Sequence, residues 1–218
     1  MRPGDIHEMI RILRGEVRRW KAPAVGVIAE ESRDPFQVLI SCVLSLRTRD
    51  GTTEAASRRL FAIARTPERM ARLSVGRLQK AIYPVSFYRT KSRSILSLCR
   101  DLVARFGGRV PDTIDELLTL QGVGRKTANL VVTVAYGKPG ICVDTHVHRI
   151  SNRWGYVKTR SPEETEMALR ALLPRRHWVT FNDLLVPYGQ NLCTPLSPFC
   201  SRCALASFCA RVGVGRSR

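Results

Sequence analysis

The amino-acid sequence predicts an all-α protein. Apolar residues recur with the spacing of a helix in one segment after another, and many of these segments begin at a capping residue or a proline. No segment alternates apolar and polar residues as a strand does, and no repeat of long period is found. Short helices joined by capped turns are typical of an all-α fold.

The first half of the chain contains a series of predicted helices. Residues 36–46 are almost entirely apolar, which predicts a buried helix. Asp50 is expected to cap the next helix. Residues 21–35, with prolines and a cluster of charges, are expected to be a connector, and residues 83–87 a loop. The helices are expected at residues 5–20, 36–46, 52–64, from Thr66 onward, 75–82 and 88–106.

The second half continues the helical pattern. Thr113 with Glu116, and Ser161 with Glu164, have the spacing of capping boxes. Asp144 can cap a helix that follows a short apolar run. The helices are expected directly after Thr113, at residues 125–136, from residue 144 to residue 154, at residues 165–173 and at residues 178–188.

Composition limits what the protein can be. A chain of 218 residues, 44% hydrophobic and 25% charged, is globular and long enough for one large domain or two modest ones. Its net charge of +18 indicates a polyanionic partner, with nucleic acid as the first candidate. A ribosomal or membrane-surface protein would share this charge.

The sequence predicts a cytosolic protein. No stretch approaches the roughly 18 consecutive apolar residues of a membrane helix. The N-terminal segment, with Asp5, His7 and Glu8, lacks the architecture of a signal peptide. In the cytosol, the seven cysteines of the chain are expected to stay reduced or to bind metal.

A glycine turn between two apolar helical patterns is the first candidate site. Gly122 and Gly124 permit positive φ and close approach of a ligand, and the N–H groups that begin the next helix attract an anion. Lys126 lies in that first turn, where the helix dipole disfavours the ammonium form and helps to make a nucleophilic amine. The alternative is an ordinary helix–turn–helix corner with a solvated lysine.

Four cysteines near the C-terminus form the second candidate site. Their spacing, C-x6-C-x2-C-x5-C, contains only one of the close pairs that structural zinc sites usually have two of. It also differs from ferredoxin spacings. This spacing favours an iron–sulfur cluster and leaves a four-thiolate zinc site as the alternative. The four residues are Cys193, Cys200, Cys203 and Cys209.

Three motifs taken together resemble the endonuclease III family of helix–hairpin–helix DNA glycosylases. The similarity runs from about residue 35 to residue 209. The motifs are Leu120-Gln121-Gly122-Val123-Gly124-Arg125-Lys126-Thr127-Ala128-Asn129, then Val143-Asp144-Thr145-His146-Val147-His148-Arg149, then the four cysteines.

The resemblance implies a two-lobed helical fold that binds DNA across the cleft between its lobes. Residues 28–138 are expected to form a helical barrel domain that carries the hairpin. Residues 1–27 plus 139–218 are expected to form a second domain, whose C-terminal loop holds a [4Fe–4S] cluster on the four cysteines. The expected partner is double-stranded DNA containing damaged bases or abasic sites, with no membrane, and the protein is expected to be a monomer associated with the nucleoid.

The resemblance also implies a mechanism. The target base leaves the duplex stack, Lys126 attacks C1′ of the deoxyribose, and the resulting Schiff base permits β-elimination that nicks the strand. The carboxylate of Asp144 serves the lysine or the sugar cation electrostatically. Asp144 can equally be a plain helix cap, and the two roles do not exclude each other.

The resemblance suggests further DNA contacts. The turn is expected to hold a phosphate through backbone N–H groups. Arg125 and Arg149 add charge or are surface arginines, and His146 touches DNA or simply packs. The expected DNA-binding set is Gln121, Gly122, Val123, Gly124, Arg125, Thr127, Arg47, Phe87, His146 and Arg149.

Three positions depart from the family pattern. Arg47 replaces the glutamine that usually fills the gap left by the flipped base, and arginine can pair with guanine. Phe87, after Ser86, replaces a second wedge that is usually leucine after glycine, and an aromatic ring can stack between bases. The loop at residues 194–199 lacks the basic residue that often touches phosphate. These departures bear on lesion range and opposite-base preference.

The expected function is therefore a bifunctional glycosylase and AP lyase that removes oxidised pyrimidines in base excision repair. One alternative is a monofunctional mismatch glycosylase of the same fold, which Lys126 argues against. Another is a non-catalytic DNA-binding or redox module, which the presence of both Lys126 and Asp144 argues against.

Overall fold

The computed structural model describes residues 4–218, and every regular element within that range is helical. Two short 3-10 turns, Arg175–His177 and Cys200–Arg202, accompany the α-helices. The α-helices are α1 (Asp5–Val17), α2 (Ala24–Ser32), α3 (Pro35–Ser45), α4 (Asp50–Ile63), α5 (Pro67–Ala71), α6 (Val75–Ile82), α7 (Tyr88–Phe106), α8 (Ile114–Leu118), α9 (Arg125–Tyr136), α10 (Thr145–Arg153), α11 (Pro162–Leu172) and α12 (Trp178–Asn191). The predicted all-α class is confirmed.

The chain divides into two compact units. The central unit is Ala24–Lys138, and the terminal unit combines residues up to Pro23 with Pro139–Arg218. The division expected from the resemblance begins the central domain at residue 28, whereas the compact unit begins at Ala24 because α2 starts there. Residues 1–3 of the expected second domain lie outside the described chain.

The central unit is built around α3. Its side chains Leu39, Ile40 and Leu44 are fully buried, and α2, α4, α7 and α9 pack against this helix. Asp34 caps α3 by accepting a hydrogen bond from the Phe36 N–H at 2.9 Å. The buried helix predicted at residues 36–46 is therefore confirmed, and α3 places α9 and its N-terminal turn.

The terminal unit packs α1 and α10 against α12. The largest fully buried side chains of this unit are aromatic, with Trp154 in edge contact with Phe181 at a centroid separation of 6.4 Å. Ile6, Met9 and Leu13 of α1 lie in the same core, so the N-terminal helix completes the unit that contains the cysteines.

Several predicted elements are wrong in detail. The expected connector at residues 21–35 contains α2, whose buried residues Val25, Ile28 and Ala29 follow the i, i+3, i+4 spacing of a helix face. Asp50 is the first residue of α4 rather than its cap, because Arg49 occupies the N-cap position.

No helix between residues 4 and 218 is long and apolar enough to cross a membrane.

Candidate active site and cysteine centre

The glycine turn joins α8 to α9. Gly122 adopts φ +83°, and the N–H of Val123 donates to the Leu120 carbonyl at 3.2 Å, which closes the turn. Gly124 is the N-cap of α9 with φ −94°. Of the two glycines that permit positive φ, only Gly122 adopts it. A Cβ added at Gly124 would meet no described atom within 4 Å, so that position stays open to a ligand.

Lys126 lies in the first turn of α9, directly after the glycine turn. The N-cap residue of this helix, Gly124, has no side chain with which to cap the turn. Burial raises the pKa of the neighbouring Cys42 thiol of α3 to about 12, and the positive charge of Lys126 acts against that rise. Thr127 is buried, whereas Gln121 is exposed and accepts a hydrogen bond from the Ser97 hydroxyl at 2.7 Å. The half-buried lysine thus lies beside the open Gly124.

Asp144 is the N-cap of α10, as predicted. Its Oδ1 accepts hydrogen bonds from the N–H groups of His146 and Val147, both at 2.9 Å. Both capping bonds use the same oxygen, so the cap does not occupy Oδ2. Asp144 belongs to the terminal unit, and Lys126 belongs to the central unit.

His146 and Arg149 lie one turn apart on α10 and face α12. The Arg149 guanidinium donates to the carbonyls of Gly189 at 3.2 Å and Cys193 at 2.9 Å, and burial lowers its pKa. A Cβ at Gly189 would lie 2.4 Å from His146 Nδ1, so the close approach of these helices requires glycine. These contacts tie α10 to the start of the cysteine loop, and a DNA contact by either side chain stays a prediction.

Arg47 and Phe87 lie together, although they are 40 positions apart in the sequence. The Arg47 guanidinium carbon is 5.7 Å from the centroid of the Phe87 ring. Both residues adopt φ +56°, an uncommon conformation for residues with a Cβ. Phe87 is 61% exposed, and Arg47 is also exposed. The two departures from the family pattern thus form one protruding pair.

The four C-terminal cysteines line one cavity of the terminal unit, together with side chains such as Trp154 and Tyr188. The Arg153 guanidinium donates to Cys193 Sγ at 3.5 Å, and the N–H of Arg211 donates to Cys209 Sγ at 3.4 Å. The Tyr188 hydroxyl lies 2.9 Å from Cys203 Sγ. Groups of this kind stabilise thiolate sulfur.

Burial of these thiols carries an electrostatic cost. In the part of the chain that is described, no group of three or more His, Cys, Asp or Glu side chains is arranged to hold a metal ion. Burial raises the pKa of the Cys193 and Cys209 thiols, a cost that a bound cation would reverse.

The loop at residues 194–199 carries no basic side chain of its own. Two arginines outside it supply charge, because the guanidinium carbons of Arg202 and Arg218 lie 4.4 Å and 3.9 Å from the centroid of the Phe199 ring. The loop surface is therefore basic despite the departure from the family pattern.

The sequence did not point to two residues that shape these sites. Arg153 is buried and also donates to the carbonyls of Thr194 and Pro195, both at 2.6 Å. Its place four residues after Arg149, on the same face of α10, is the signal that could have found it. Lys91, a buried lysine of α7, had no such signal.

Known proteins resemble this chain in sequence and in fold. The model of the HhH-GPD superfamily base excision DNA repair proteins matches residues 40–175. Endonuclease III of Thermotoga maritima is 52% identical over 176 residues, which cover 81% of this chain and 83% of that protein. A solved non-covalent Endonuclease III–DNA complex has a TM-score of 0.86 at 34% identity and covers 97% of this chain and 96% of its own. A trapped Endonuclease III–DNA covalent intermediate, described as an estranged-adenine complex, has a TM-score of 0.86 at 33% identity, covering 97% of both chains.

Proposed function

The chain belongs to the HhH-GPD superfamily of base excision DNA repair proteins, and we propose that it is a bifunctional DNA glycosylase and AP lyase that removes oxidised pyrimidines. Its similarity to Endonuclease III supports its assignment as a DNA glycosylase of base excision repair. The observation that carries the lyase activity is Lys126, a primary amine in the first turn of α9 beside the open Gly124.

Lys126 acts as the nucleophile. Its neutral amine attacks C1′ of the extruded nucleotide, the N-glycosidic bond breaks, and the base leaves with the bonding electrons and takes up a proton. The sugar ring opens to a Schiff base between C1′ and Nζ. Loss of a proton from C2′ then expels the 3′ phosphate, which nicks the strand, and water releases Lys126. A covalent Endonuclease III–DNA intermediate is known among the solved relatives.

Asp144 acts electrostatically on this step. Its Oδ1 is committed to the cap of α10, and its negative charge stabilises the positive charge that develops on the sugar or on the Schiff base. A carboxylate fixed by two backbone N–H groups is already oriented before the substrate arrives, so the cap assists the chemistry.

The glycine turn holds a DNA phosphate. The N–H groups at the start of α9 point toward an anion, and the positive end of the helix dipole favours it. The turn contains Gln121 and Val123, and the first turn of α9 contains Arg125 and Thr127. The contact carries no sequence information and fixes the register of the strand.

Arg47 and Phe87 enter the duplex at the extruded nucleotide. A side chain that fills the gap keeps the base from returning, and an inserted ring can separate neighbouring bases. The stacked and exposed pair supports this role. Because the Arg47 guanidinium can donate two hydrogen bonds to guanine, we expect a preference for guanine opposite the lesion.

The four cysteines hold a [4Fe–4S] cluster. Their shared cavity and the hydrogen bonds to three of the sulfur atoms support a group bound by the four thiolates. When bound, the cluster cross-links the C-terminal loop to the end of α12. Arg153 and Arg149 hold the same loop through its carbonyls, which keeps the basic surface around Phe199 in place for DNA.

The proposed substrate is double-stranded DNA with a damaged base or an abasic site, which a monomer in the cytoplasm, associated with the nucleoid, repairs. The test is a duplex with one thymine glycol, incubated with enzyme and separated on a denaturing gel with and without alkali. Strand breakage without alkali is expected. Breakage that needs alkali would instead identify a monofunctional glycosylase, and no breakage under either condition would overturn the proposal.

A further inference from the structure

Lys91 is a buried cation whose side chain reaches the loop that carries Arg47. It lies on α7, one turn after Phe87, and is only 7% exposed. Its ammonium donates three hydrogen bonds, to the carbonyls of Leu44 at 2.8 Å and Leu46 at 2.6 Å and to the Thr48 hydroxyl at 3.2 Å. An ammonium has three protons, so every donor of this group has a partner.

The position of this ammonium has a physical reason. Leu44 and Leu46 supply carbonyls at the C-terminal end of α3, where helical carbonyls lack partners within the helix and the dipole favours a positive charge. Burial lowers the pKa of Lys91 to about 8, and the three acceptors oppose that effect because they stabilise the charged form. Lys91, near the start of α7, therefore supplies hydrogen-bond donors to the carbonyls at the C-terminal end of α3.

Thr48 extends the connection to the second loop. Its hydroxyl accepts hydrogen bonds from Lys91 and from the backbone N–H of Ser86, the latter at 3.2 Å. It also donates to the Leu46 carbonyl at 3.3 Å. Ser86 immediately precedes Phe87, and Thr48 immediately follows Arg47. One hydroxyl thus joins the neighbours of both exposed side chains.

The backbone at both positions needs such support. Arg47 and Phe87 are held at φ +56°, a conformation that costs free energy for residues with a Cβ and persists only where the surroundings enforce it. Lys91 and Thr48 bond to residues on either side of Arg47 and directly before Phe87. This network joins the backbone around the two left-handed positions, in addition to the side-chain contact between Arg47 and Phe87.

We propose that Lys91 and Thr48 are positioning residues that hold Arg47 and Phe87 as a single stacked wedge, and that this shared support determines how the enzyme discriminates the base opposite the lesion. The inference rests on the proposed function, since a wedge acts only on a duplex. Neither residue touches the reacting atoms, so both act through Arg47 and Phe87.

The test compares two matched pairs of variants. Lys91→Met removes the ammonium but keeps a flexible chain of similar length, and Lys80→Met is its control because Lys80 is exposed on α6. Thr48→Val removes the hydroxyl but keeps the shape, and Thr48→Ser restores the hydroxyl. Single-turnover excision is measured for one lesion opposite each of the four bases, and borohydride trapping is measured on duplex with a preformed abasic site. Thermal melting checks that each variant folds.

The inference predicts that the ratio between the best and worst opposite base falls by on the order of tenfold in Lys91→Met and Thr48→Val. Trapping on abasic DNA should change by less than about threefold, because a preformed abasic site has no base to extrude. Thr48→Ser and Lys80→Met should match the wild type. If Lys91→Met does not fold, the Thr48 pair decides.

Equal opposite-base ratios in folded Thr48→Val and wild-type enzyme would overturn the inference. Equal losses of excision and trapping would also overturn it, because they would indicate damage to the chemistry rather than to the wedge. A wild-type enzyme that neither excises nor traps would overturn the proposed function itself, and this inference with it.

Discussion

The guanidinium carbon of Arg47 lies 5.7 Å from the centre of the Phe87 ring. A cation over an exposed aromatic face contributes about 0.5–1 kcal/mol, enough to bias the two side chains toward one arrangement. A cationic, hydrogen-bonding tip is thereby placed against a flat apolar face. A gap in duplex DNA offers both a base edge and stacking surfaces, so each half of this pair has a counterpart in the substrate.

Arg47→Gln tests the tip of the pair. A bidentate pair with guanine discriminates against the wrong base by about 1–3 kcal/mol, so this variant is expected to lose about tenfold or more of its preference for guanine opposite the lesion. The rate with the other three bases should change less. Single-turnover excision from four duplexes measures the ratio.

Arg49→Gln is the matched control, because Arg49 is also exposed and lies two residues away. It should keep the wild-type ratio. A preference for guanine that survives in Arg47→Gln would show that another group reads the opposite base.

Substitutions at the two glycines of the turn distinguish an effect on protein stability from an effect on DNA binding. Gly122→Ala places a Cβ at φ +83° and should lower the free energy of unfolding by about 1–2 kcal/mol. Gly124→Ala meets no described atom within 4 Å and loses a glycine N-cap, so it should destabilise the protein less than Gly122→Ala does, by about 0.5 kcal/mol, yet its Cβ should hinder the phosphate and weaken DNA binding. Urea melts and fluorescence anisotropy measure the two effects. Wild-type affinity in Gly124→Ala would argue that no phosphate binds there.

Asp144→Asn separates capping from electrostatics. Asparagine caps a helix about as well as aspartate, so the melting temperature should hardly change, whereas loss of the charge should lower single-turnover excision by about 10²-fold or more. Asp144→Ala should in addition destabilise the protein by about 1 kcal/mol. If Asp144→Asn is fully active, then Asp144 serves only as a cap.

Arg153 should govern how firmly the cysteine loop holds the proposed cluster. Arg153→Met leaves the carbonyls of Thr194 and Pro195 without this donor, at a cost of about 1–3 kcal/mol for a buried group. We expect the Arg153→Met variant to lose iron to a chelator faster than the wild type and to melt at a lower temperature. Visible absorbance measures the loss of iron. Arg160→Met, at an exposed arginine, is the control. Equal rates of iron loss in both variants would remove Arg153 from this role.

Local patterns predicted much of the fold. The bounds of α9 and the capping role of Asp144 followed from residues next to each other in the chain, because propensity and capping act over a few positions. Helix α2 was missed although Val25, Ile28 and Ala29 have helical spacing. The prolines and charges around them concealed a helix of only nine residues.

The sequence indicates a candidate site only where one segment carries its residues. The turn at residues 121–124 and the cysteine cluster are each continuous in sequence, and their residue types indicate their chemistry. The pairing of Arg47 with Phe87 and the hydrogen bond from Lys91 to Leu44 join positions that are 40 and 47 residues apart. Such contacts depend on how α3 and α7 pack, which no local spacing reveals.

The central claim is that Lys126 forms a covalent bond to the sugar of its substrate. The most direct measurement is borohydride reduction of the enzyme on duplex DNA with one abasic site, followed by proteolysis and mass spectrometry of the adduct. The account predicts one adduct per chain on the peptide that contains Lys126, no adduct in Lys126→Gln and a wild-type yield in Lys80→Met. An adduct on another residue, or one that persists undiminished in folded Lys126→Gln, would contradict it.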